Sequence, residues 1–252
     1  MKWPHVTKKR PCVICGRPEP QHDSCWCSYS PDGSAAICAF IESPKQQKDG
    51  RYMHKTGDAK GGSVVRSNPE FDPKVDWKKL QKIYRSNLNG HLSSVAESLG
   101  VTCDSLDSLG MGWDGMACTF PMRNANGETV GIRRRFEDGK KKAVHGSREG
   151  LFFADLCDGM FVCEGPTDAA SLLSIGIVPI GRPHCLGGAS EIEIIAKSHR
   201  IDAVITDNDP PGTRGANALA KRIDVRVIHP PDEFKDVRAW INGGAKKDDI
   251  VR

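Results

Sequence analysis

Half of the cysteines of this chain are clustered near its N-terminus. Five of the ten lie within the first 38 residues, and they are Cys12, Cys15, Cys25, Cys27 and Cys38. The first ten residues are polar and basic, with no apolar stretch after them, so they are not a secretory signal and we expect a cytoplasmic protein. In a reducing compartment, clustered cysteines indicate a metal site rather than a disulfide framework. A segment this small has little core of its own, so we expect the metal to stabilise its fold.

Four thiolates around one ion would make a closed, structural zinc site. Cys12 and Cys15 form a Cys-x-x-Cys knuckle. We choose Cys27 and Cys38 as the other two ligands because they flank the Ser-Pro-Asp-Gly turn at residues 30–33, which would bring two strand ends together as in a zinc ribbon. Two weaker alternatives remain as ligands: Cys25 and His22.

Changes of pattern divide the chain into four parts. Residues 1–56 form the cysteine-rich region, 57–75 a linker rich in Gly, Ser, Asn, Asp and Pro, 76–157 a basic subdomain, and 158–252 an α/β domain. The net charge of +4 is mild, but the basic residues are clustered in runs that suit a phosphate backbone. Those runs are 8–10, 133–135 and 140–142. Each run alone could equally be a solvated face.

The basic subdomain combines two kinds of periodicity. Apolar residues have helical spacing from Asp76 to Leu109, and Gly100 fits a helix C-cap. Short strands follow, at 116–121 and 129–136, joined by a turn that contains Asn126-Gly127. We therefore expect a mixed α+β subdomain.

After Asp158, apolar strands alternate with helices. We predict strands at 160–163, 177–180, 203–206 and 225–228. We predict helices at 166–175, at 190–198 with Ser190 as the cap, at 214–223 and at 236–241. Strands separated by helices of this length indicate a parallel sheet. The predicted fold class is thus α/β, with a small β zinc ribbon first and a mixed α+β subdomain joined to the parallel sheet.

Carboxylates follow two of the predicted strands directly. Glu164 follows the strand at 160–163, and Asp168 lies in the first turn of the next helix. Asp207 and Asp209 follow the strand at 203–206. Active sites in open parallel sheets lie at the carboxyl ends of strands. Grouped carboxylates of this kind suit magnesium or manganese, which phosphoryl transfer uses to offset developing charge. The alternative is that these are ordinary loop acids, which the occurrence of two such motifs disfavours.

These acidic motifs resemble those of a known domain. Residues 161–168 resemble the first motif of the Toprim domain, and Asp207-Asn208-Asp209, followed by Gly212 and Gly215, resembles the second. Toprim domains occur in primases, topoisomerases, small nucleases and a zinc-containing recombination mediator. The order of zinc region, basic subdomain and Toprim domain resembles the DNA primases of bacteria and phages.

Further passages strengthen the resemblance to primases. Residues 119–131 resemble the FPI-D-GxVxGF passage of the primase core, and Arg135 matches the arginine that follows it. Lys142 falls in the lysine-containing passage, where Gly-Ser-Arg at 146–148 departs from the Asn-Ser-Pro of the family. Residues 235–236 resemble a late Lys-Asp pair. The sequence contains no Gly-x-x-x-x-Gly-Lys-Ser/Thr motif, so a replicative helicase, if used, would be a separate partner.

The resemblance implies an enzyme that joins nucleoside triphosphates on a single-stranded DNA template. Asp207, Asp209 and Glu164 would hold magnesium or manganese with help from Asp168, although Glu164 could instead act as the acid or base. Five residues would contact nucleotide or nucleic acid: Arg133, Arg135, Lys142, Lys235 and Asp236. In the zinc ribbon, Trp26 or Tyr29 could stack on template bases.

Two other functions would use the same features. A non-catalytic zinc and Toprim mediator of recombination would bind DNA without incorporating nucleotides. A Toprim nuclease would cut DNA with the same acids, but we would not expect a zinc ribbon or an arginine-rich strand in it. No apolar run approaches eighteen residues, so we expect no membrane partner.

Overall fold

The computed structural model describes residues 75–252 without interruption. Before them it describes residues 27–31, 34–38 and 52–55 and several single residues, which are Pro4, Val6, Cys12, Ile14, Ser43, Lys45 and Gln47. The chain divides into two compact units, Met1–Phe71 and Asp72–Arg252. Several residues considered in the sequence analysis lie outside the described ones: Cys15, His22, Cys25, Trp26, the basic run 8–10, residues 32–33 of the predicted turn and residues 57–74 of the predicted linker.

The described part of the first unit contains a three-stranded antiparallel sheet. Its strands are β1 (Ser28–Tyr29), β2 (Ala35–Cys38) and β3 (Tyr52–Lys55), in the order β1-β2-β3. Ser30 closes the predicted turn between β1 and β2, because its N–H donates to the Ala35 carbonyl at 2.9 Å and its Oγ accepts from the Ala35 N–H at 2.9 Å. The sequence did not predict β3, which is only half-buried and lacks an apolar run.

The second unit begins with three helices, α1 (Trp77–Ser86), α2 (His91–Leu99) and α3 (Cys103–Ser108). Asp76 caps α1 by accepting the Lys79 N–H at 2.9 Å. Gly100 ends α2 with a left-handed φ of 67°, as the sequence predicted. An antiparallel sheet follows, formed by β4 (Gly112–Trp113), β5 (Cys118–Arg123), β6 (Thr129–Arg135) and β7 (Lys141–Ala143), in the order β4-β5-β6-β7.

The rest of the second unit alternates strand and helix around a parallel sheet. The elements are β8 (Met160–Glu164), α4 (Pro166–Ser174), β9 (Pro179–Arg182), α5 (Ala189–Ala196), β10 (Ile201–Ile205), α6 (Pro210–Ile223), β11 (Arg226–Ile228), α7 (Val237–Asn242) and α8 (Lys247–Val251). The strand order is β11-β10-β8-β9, and each neighbouring pair is parallel. The predicted fold class, a small β region followed by a mixed subdomain and a parallel α/β sheet, is confirmed.

Strand β8 shows why the strands of this sheet could be predicted from their apolar residues. Its side chains alternate between two hydrophobic clusters, with Met160 and Val162 in one and Phe161 and Cys163 in the other. A strand covered on both faces is a continuous apolar run rather than an alternating one. The run Met-Phe-Val-Cys thus identifies a central strand.

The two sheets are joined by an extended segment after β7. Arg123 on β5 makes an antiparallel bridge to Leu151, and the next residue, Phe152, bridges to Gly181 on β9. Gly150 permits the first contact, since a Cβ there would lie 2.7 Å from the Arg123 carbonyl oxygen. The antiparallel and parallel sheets are therefore held edge to edge by backbone hydrogen bonds.

Several boundaries differ from those predicted. Helix α6 begins at Pro210 rather than Arg214, because Asp209 caps it and prolines are tolerated in a first turn. Helix α5 begins at Ala189 after a left-handed Gly188, so Ser190 lies inside it and does not cap it. Strand β9 lies two residues later than predicted, and the short elements β7 and α8 were not predicted.

Candidate active site and cysteine cluster

The topology of the parallel sheet creates a crevice at the carboxyl end of β8. From β8 the chain crosses to β9 on one side, and it later returns to β10 on the other side. Glu164 ends β8, while Asp207 follows the last residue of β10 by two positions. Because ligands in open α/β sheets bind where the strand order reverses, the structure brings the two predicted acidic motifs to the expected edge.

The loop that carries Asp207 and Asp209 is held in place by the residue between them. The side-chain amide of Asn208 donates to three carbonyl oxygens, those of Pro230 at 2.9 Å, Pro231 at 3.0 Å and Phe234 at 2.8 Å. The Asn208 N–H also donates to the Lys235 carbonyl at 2.7 Å. Asn208 therefore ties the end of β10 to the segment before α7.

Asp209 is both an acid of the site and a helix cap. Its Oδ1 accepts the Gly212 N–H at 2.7 Å, which satisfies one of the unpaired donors in the first turn of α6. Asp236 has the same arrangement on α7, where its Oδ1 accepts the Ala239 N–H at 2.7 Å. Both carboxylates are thus positioned by the helices that they begin.

Negative charge is concentrated at this edge of the sheet. We call it the acidic edge, and its carboxylates are those of Glu164, Asp168, Asp207, Asp209 and Asp236. Burial raises the pKa of Asp207 to about 7, and the charges of Glu164, Asp236 and Asp209 add to that rise. Burial also raises the pKa of Asp168 well above its ordinary value, with Asp236 and Asp207 acting in the same direction. A group of carboxylates that raise one another's pKa values favours the binding of a cation, which would relieve the repulsion.

Three positively charged side chains act on Glu164. Burial raises its pKa, while the charges of Lys141, Arg182 and His184 act in the opposite direction and that of Asp209 adds to the rise. Arg182 ends β9 and is paired in register with Glu164. It is only 4% exposed, and the sequence analysis did not select it.

The arginine-rich strand presents cations on both of its faces. Arg133 and Arg135 alternate with Arg134 along β6, so they share a face, and burial lowers the pKa of both. Arg134 points to the other face and forms an ion pair with Asp114 at 2.5 Å. The charges of Asp168 and Asp236 act on Arg135 and oppose the lowering of its pKa by burial.

Lys141, which the sequence analysis did not select, is a lysine whose charge acts on the acids. Lys141 pairs with Arg135 across β6 and β7, and Lys142 pairs with Arg134. The charge of Lys141 lowers the pKa values of Glu164, Asp168 and Asp207. The sequence held a signal for this pairing, since the tight turn at Asp138-Gly139 sets the register of the two strands.

The last predicted pair, Lys235 and Asp236, lies in the segment that leads into α7. Lys235 is exposed and its carbonyl holds Asn208, while Asp236 caps the helix. The structure adds Arg238, which no sequence motif indicated. Its Nε lies 3.8 Å from Asp168 Oδ1, and its Nη2 lies 3.9 Å from Asp236 Oδ2.

A second cluster lies in the first unit, where three of the four predicted zinc ligands converge. The Sγ atoms of Cys12, Cys27 and Cys38 all lie within 4.8 Å of one another, and those of Cys27 and Cys38 are 3.9 Å apart. Tetrahedral zinc with thiolate bonds of about 2.3 Å separates its sulfur ligands by roughly 3.8 Å, so this donor set fits the ion. Tyr29 is 2% exposed in the surrounding core, so the expectation that it could stack on bases is wrong.

The acids of the second unit are more widely spaced than the thiols. In the part of the chain that the structure describes, the cysteines are the one group of three potential ligands within 4.8 Å. Magnesium does not need such a cage, because it keeps several waters and uses one or two carboxylates. Among the described helices, none is both long enough and apolar enough to cross a membrane.

The fold and the acidic edge together define a class of protein. It is a two-sheet α/β protein in which a basic antiparallel sheet is joined to a parallel sheet that carries carboxylates at its switch point. No protein-family model matches the sequence, and no curated protein sequence matches it significantly.

Several solved structures match the chain, and they identify the fold more narrowly. A DnaG primase catalytic domain bound to single-stranded DNA is 15% identical, with a TM-score of 0.56 over 68% of this chain and 74% of that chain. The E. coli primase catalytic core is 14% identical, with a TM-score of 0.55 over 68% of this chain and 76% of that chain. The Aquifex aeolicus primase, a structure of zinc-binding and RNA polymerase domains, is 15% identical, with a TM-score of 0.55 over 68% of this chain and 58% of that chain. The chain thus has the fold of a bacterial DNA primase catalytic core.

Proposed function

We propose that this chain is a DNA primase that synthesises short primers on single-stranded DNA by metal-dependent nucleotidyl transfer. The observation that carries the proposal is the meeting of Glu164 and the Asp207–Asp209 loop at the switch point of a primase-type fold. The second support is the basic face of Arg135 and Lys141. The charge of Lys141 acts on Glu164 and Asp207, and the charges of Asp168 and Asp236 act on Arg135. An acidic metal site beside a basic surface suits nucleoside triphosphates, whose phosphates carry the negative charge.

In this proposal Asp207 and Asp209 hold a magnesium or manganese ion. Such an ion would offset the charge that develops during transfer. The oxygen of a 3′-hydroxyl forms a bond to the α-phosphorus of the next nucleotide, the bond to the bridging oxygen breaks, and pyrophosphate leaves. Glu164 either completes the ligands of the ion or accepts the hydroxyl proton.

The basic residues would bind the charged parts of the substrates. Arg133, Arg135 and Lys141 line one face of neighbouring strands, with Lys142 on the other face. Arginine on such a face suits phosphate, because its guanidinium donates in a planar fork. Lys235 and Asp236 border the same loop. We propose that the triphosphate and the template backbone lie along this face.

The cysteine cluster would hold a structural zinc ion. Three thiols are in place at Cys12, Cys27 and Cys38, and the predicted fourth ligand is Cys15, which lies outside the described residues. The proposal is supported by the closed, buried character of the cluster, because structural zinc sites leave no open coordination position.

Primer synthesis in vitro tests the function. Purified protein is incubated with single-stranded DNA, labelled nucleoside triphosphates and magnesium, beside a double variant, Asp207→Ala/Asp209→Ala. A matched control is Asp202→Ala. It removes a carboxylate near the N-terminal end of β10, away from the acids, where Asp202 pairs with Arg200 at 3.3 Å. We expect short labelled oligomers from the wild type and from the control, but not from the double variant.

The other outcomes distinguish the competing functions. A shortened template without labelled oligomers would indicate a nuclease that uses the same acids. Intact template and DNA binding without incorporation would indicate a non-catalytic mediator. Labelled oligomers from the double variant would show that the acids at this edge are not the catalytic ones.

A further inference from the structure

Arg238 lies between two carboxylates without bonding to either of them. It is 3.8 Å from Asp168 and 3.9 Å from Asp236, which is ion-pair range but beyond hydrogen-bond length. Its Nε is buried and has no hydrogen-bond acceptor among the described residues. The guanidinium therefore supplies positive charge to this position rather than a tight bridge.

Asp168 is the carboxylate that most needs that charge. It is 5% exposed, and the guanidinium of Arg238 lies within ion-pair range of its Oδ1. An ionised carboxylate in such surroundings must have a compensating cation. The charges of Arg238 and Lys141 both act on Asp168, and Arg238 is the one recorded within 4 Å of it.

We infer that Arg238 is a built-in cation that occupies the place between Asp168 and Asp236 where a second divalent ion would otherwise bind. The acidic edge then takes one divalent ion, beside Glu164, Asp207 and Asp209. The inference rests on the proposed function for that one ion. It assigns Arg238 as a positioning residue, because Arg238 acts through the carboxylates that it neutralises.

The charge and the position of Arg238 both suit this role. Asp168 is on α4 and Asp236 caps α7, so their carboxylates approach from two different elements with a cation between them, as they would around a metal. Two-metal sites in phosphoryl-transfer enzymes hold their ions roughly 3.5–4 Å apart. A guanidinium in one of the two positions supplies a single fixed charge and repels a second ion. Its removal leaves two carboxylates that can coordinate one.

Counting bound manganese tests this directly and needs no activity. Mn²⁺ is titrated into the full chain, with its zinc site loaded, and free Mn²⁺ is measured by electron paramagnetic resonance. The variants are Arg238→Gln, which keeps much of the side chain without its charge, and the same change combined with Asp168→Asn. The control is Arg200→Gln. It breaks a comparable ion pair, between Arg200 and Asp202 at the start of β10.

We expect one Mn²⁺ per chain for the wild type and for Arg200→Gln, two for Arg238→Gln, and one again when Asp168→Asn is added. A wild type that already binds two ions at the acidic edge would overturn the inference, even if Arg238→Gln does not fold. An unchanged count in a folded Arg238→Gln variant would overturn it as well, because a merely structural role changes stability and not stoichiometry.

Failure of the proposed function has a different signature. In that case the wild type and the Asp207→Ala/Asp209→Ala variant bind the same number of Mn²⁺ ions. An Arg238→Gln variant that nevertheless gains an ion, dependent on Asp168, would leave the role of Arg238 standing. Without such a gain, both would be overturned.

Discussion

Glu164 and Arg182 occupy matching positions on the neighbouring parallel strands β8 and β9. The Arg182 Nε donates to the Gly187 carbonyl at 3.0 Å, and Nη1 donates to the Gly215 carbonyl at 3.4 Å. One buried guanidinium thus places positive charge beside Glu164. It also holds the loop before α5 and the helix α6 against the ends of the strands.

Variants of Arg182 should separate its charge from its geometry. Lysine keeps the charge but cannot reach both carbonyls, so we expect Arg182→Lys to lower the free energy of unfolding by about 1–3 kcal/mol. Arg182→Ala also removes the charge and leaves Glu164 without its neighbour, so its loss should be larger, about 3–5 kcal/mol. Chemical denaturation measures both. Equal stability of the two variants would show that the charge beside Glu164 contributes nothing.

Stability should depend on the ionisation of Asp207. Its pKa is about 7 in the folded chain against an ordinary 3.8. The folded chain therefore holds the proton more tightly than the unfolded chain, and ionisation destabilises the fold as pH rises between these two values. We expect Asp207→Asn to melt at a higher temperature than the wild type near pH 8, with a smaller difference near pH 5.5.

The measurement is thermal unfolding without added divalent metal, with the zinc site loaded. The same variant should lose primer synthesis by about 100-fold or more, since removing a single electrostatic contact to the transition state can have that effect. A melting advantage that does not depend on pH would mean that the pKa of Asp207 is not raised in the folded chain and that its carboxylate is ionised across this range.

The two neighbouring lysines on β7 should differ in their effect. Lys141 faces the acids, so Lys141→Ala should lower kcat/KM for nucleoside triphosphates by about 10–100-fold, equivalent to one charge-assisted hydrogen bond. Lys142, which the sequence favoured, shares its face with Arg134, and the loss from Lys142→Ala should be smaller. Steady-state kinetics of both variants decides between them. A larger loss from Lys142→Ala would favour Lys142 as the residue that binds the nucleotide.

Asn208 should matter through the loop that it holds and not through the metal itself. Asn208→Ala removes hydrogen bonds to three carbonyls, and we expect a loss of about 1–3 kcal/mol in the free energy of unfolding together with weaker Mn²⁺ binding. The control is Asn217→Ala on the exposed side of α6, where the amide only donates to Thr213. A control as damaging as Asn208→Ala would contradict the positioning role.

Zinc content should follow the three thiols. We expect about one zinc per chain by atomic emission for the wild type and for Cys157→Ser, because Cys157 is exposed and lies outside the cluster. Cys27→Ser should lose the zinc and reduce the structure of the first unit, since a site of this kind supplies much of its folding free energy. Retention of zinc by Cys27→Ser would exclude this cysteine as a ligand.

The order of elements in the parallel sheet was predictable because it depends on local pattern. A central strand such as β8 is an uninterrupted apolar run, and the carboxylate that ends it follows in the sequence. Glu164 and Asp207 could therefore be placed at the same edge without coordinates. The start of α6 was missed because residues 210–211 are both proline, which suggested a loop, whereas Asp209 makes them the first turn.

Other features of the site depend on tertiary packing and leave no pattern. An arginine at the end of a strand is usually exposed, whereas Arg182 is buried because the loop before α5 folds over it. The position of Arg238 depends on how α7 meets α4. Lys141 differs from Lys142 by strand register alone, which a one-residue error would reverse.

The extended segment at Leu151 and Phe152 has a consequence for how such a site can work. Backbone hydrogen bonds join this segment to β5 on one side and to β9 on the other. A movement that separated the cationic face from the carboxylates would have to break them. The spacing between the face and the carboxylates is set when the protein folds. For the proposed nucleotidyl transfer, charged groups that are already held at a fixed spacing would need little reorganisation as the phosphorus is attacked.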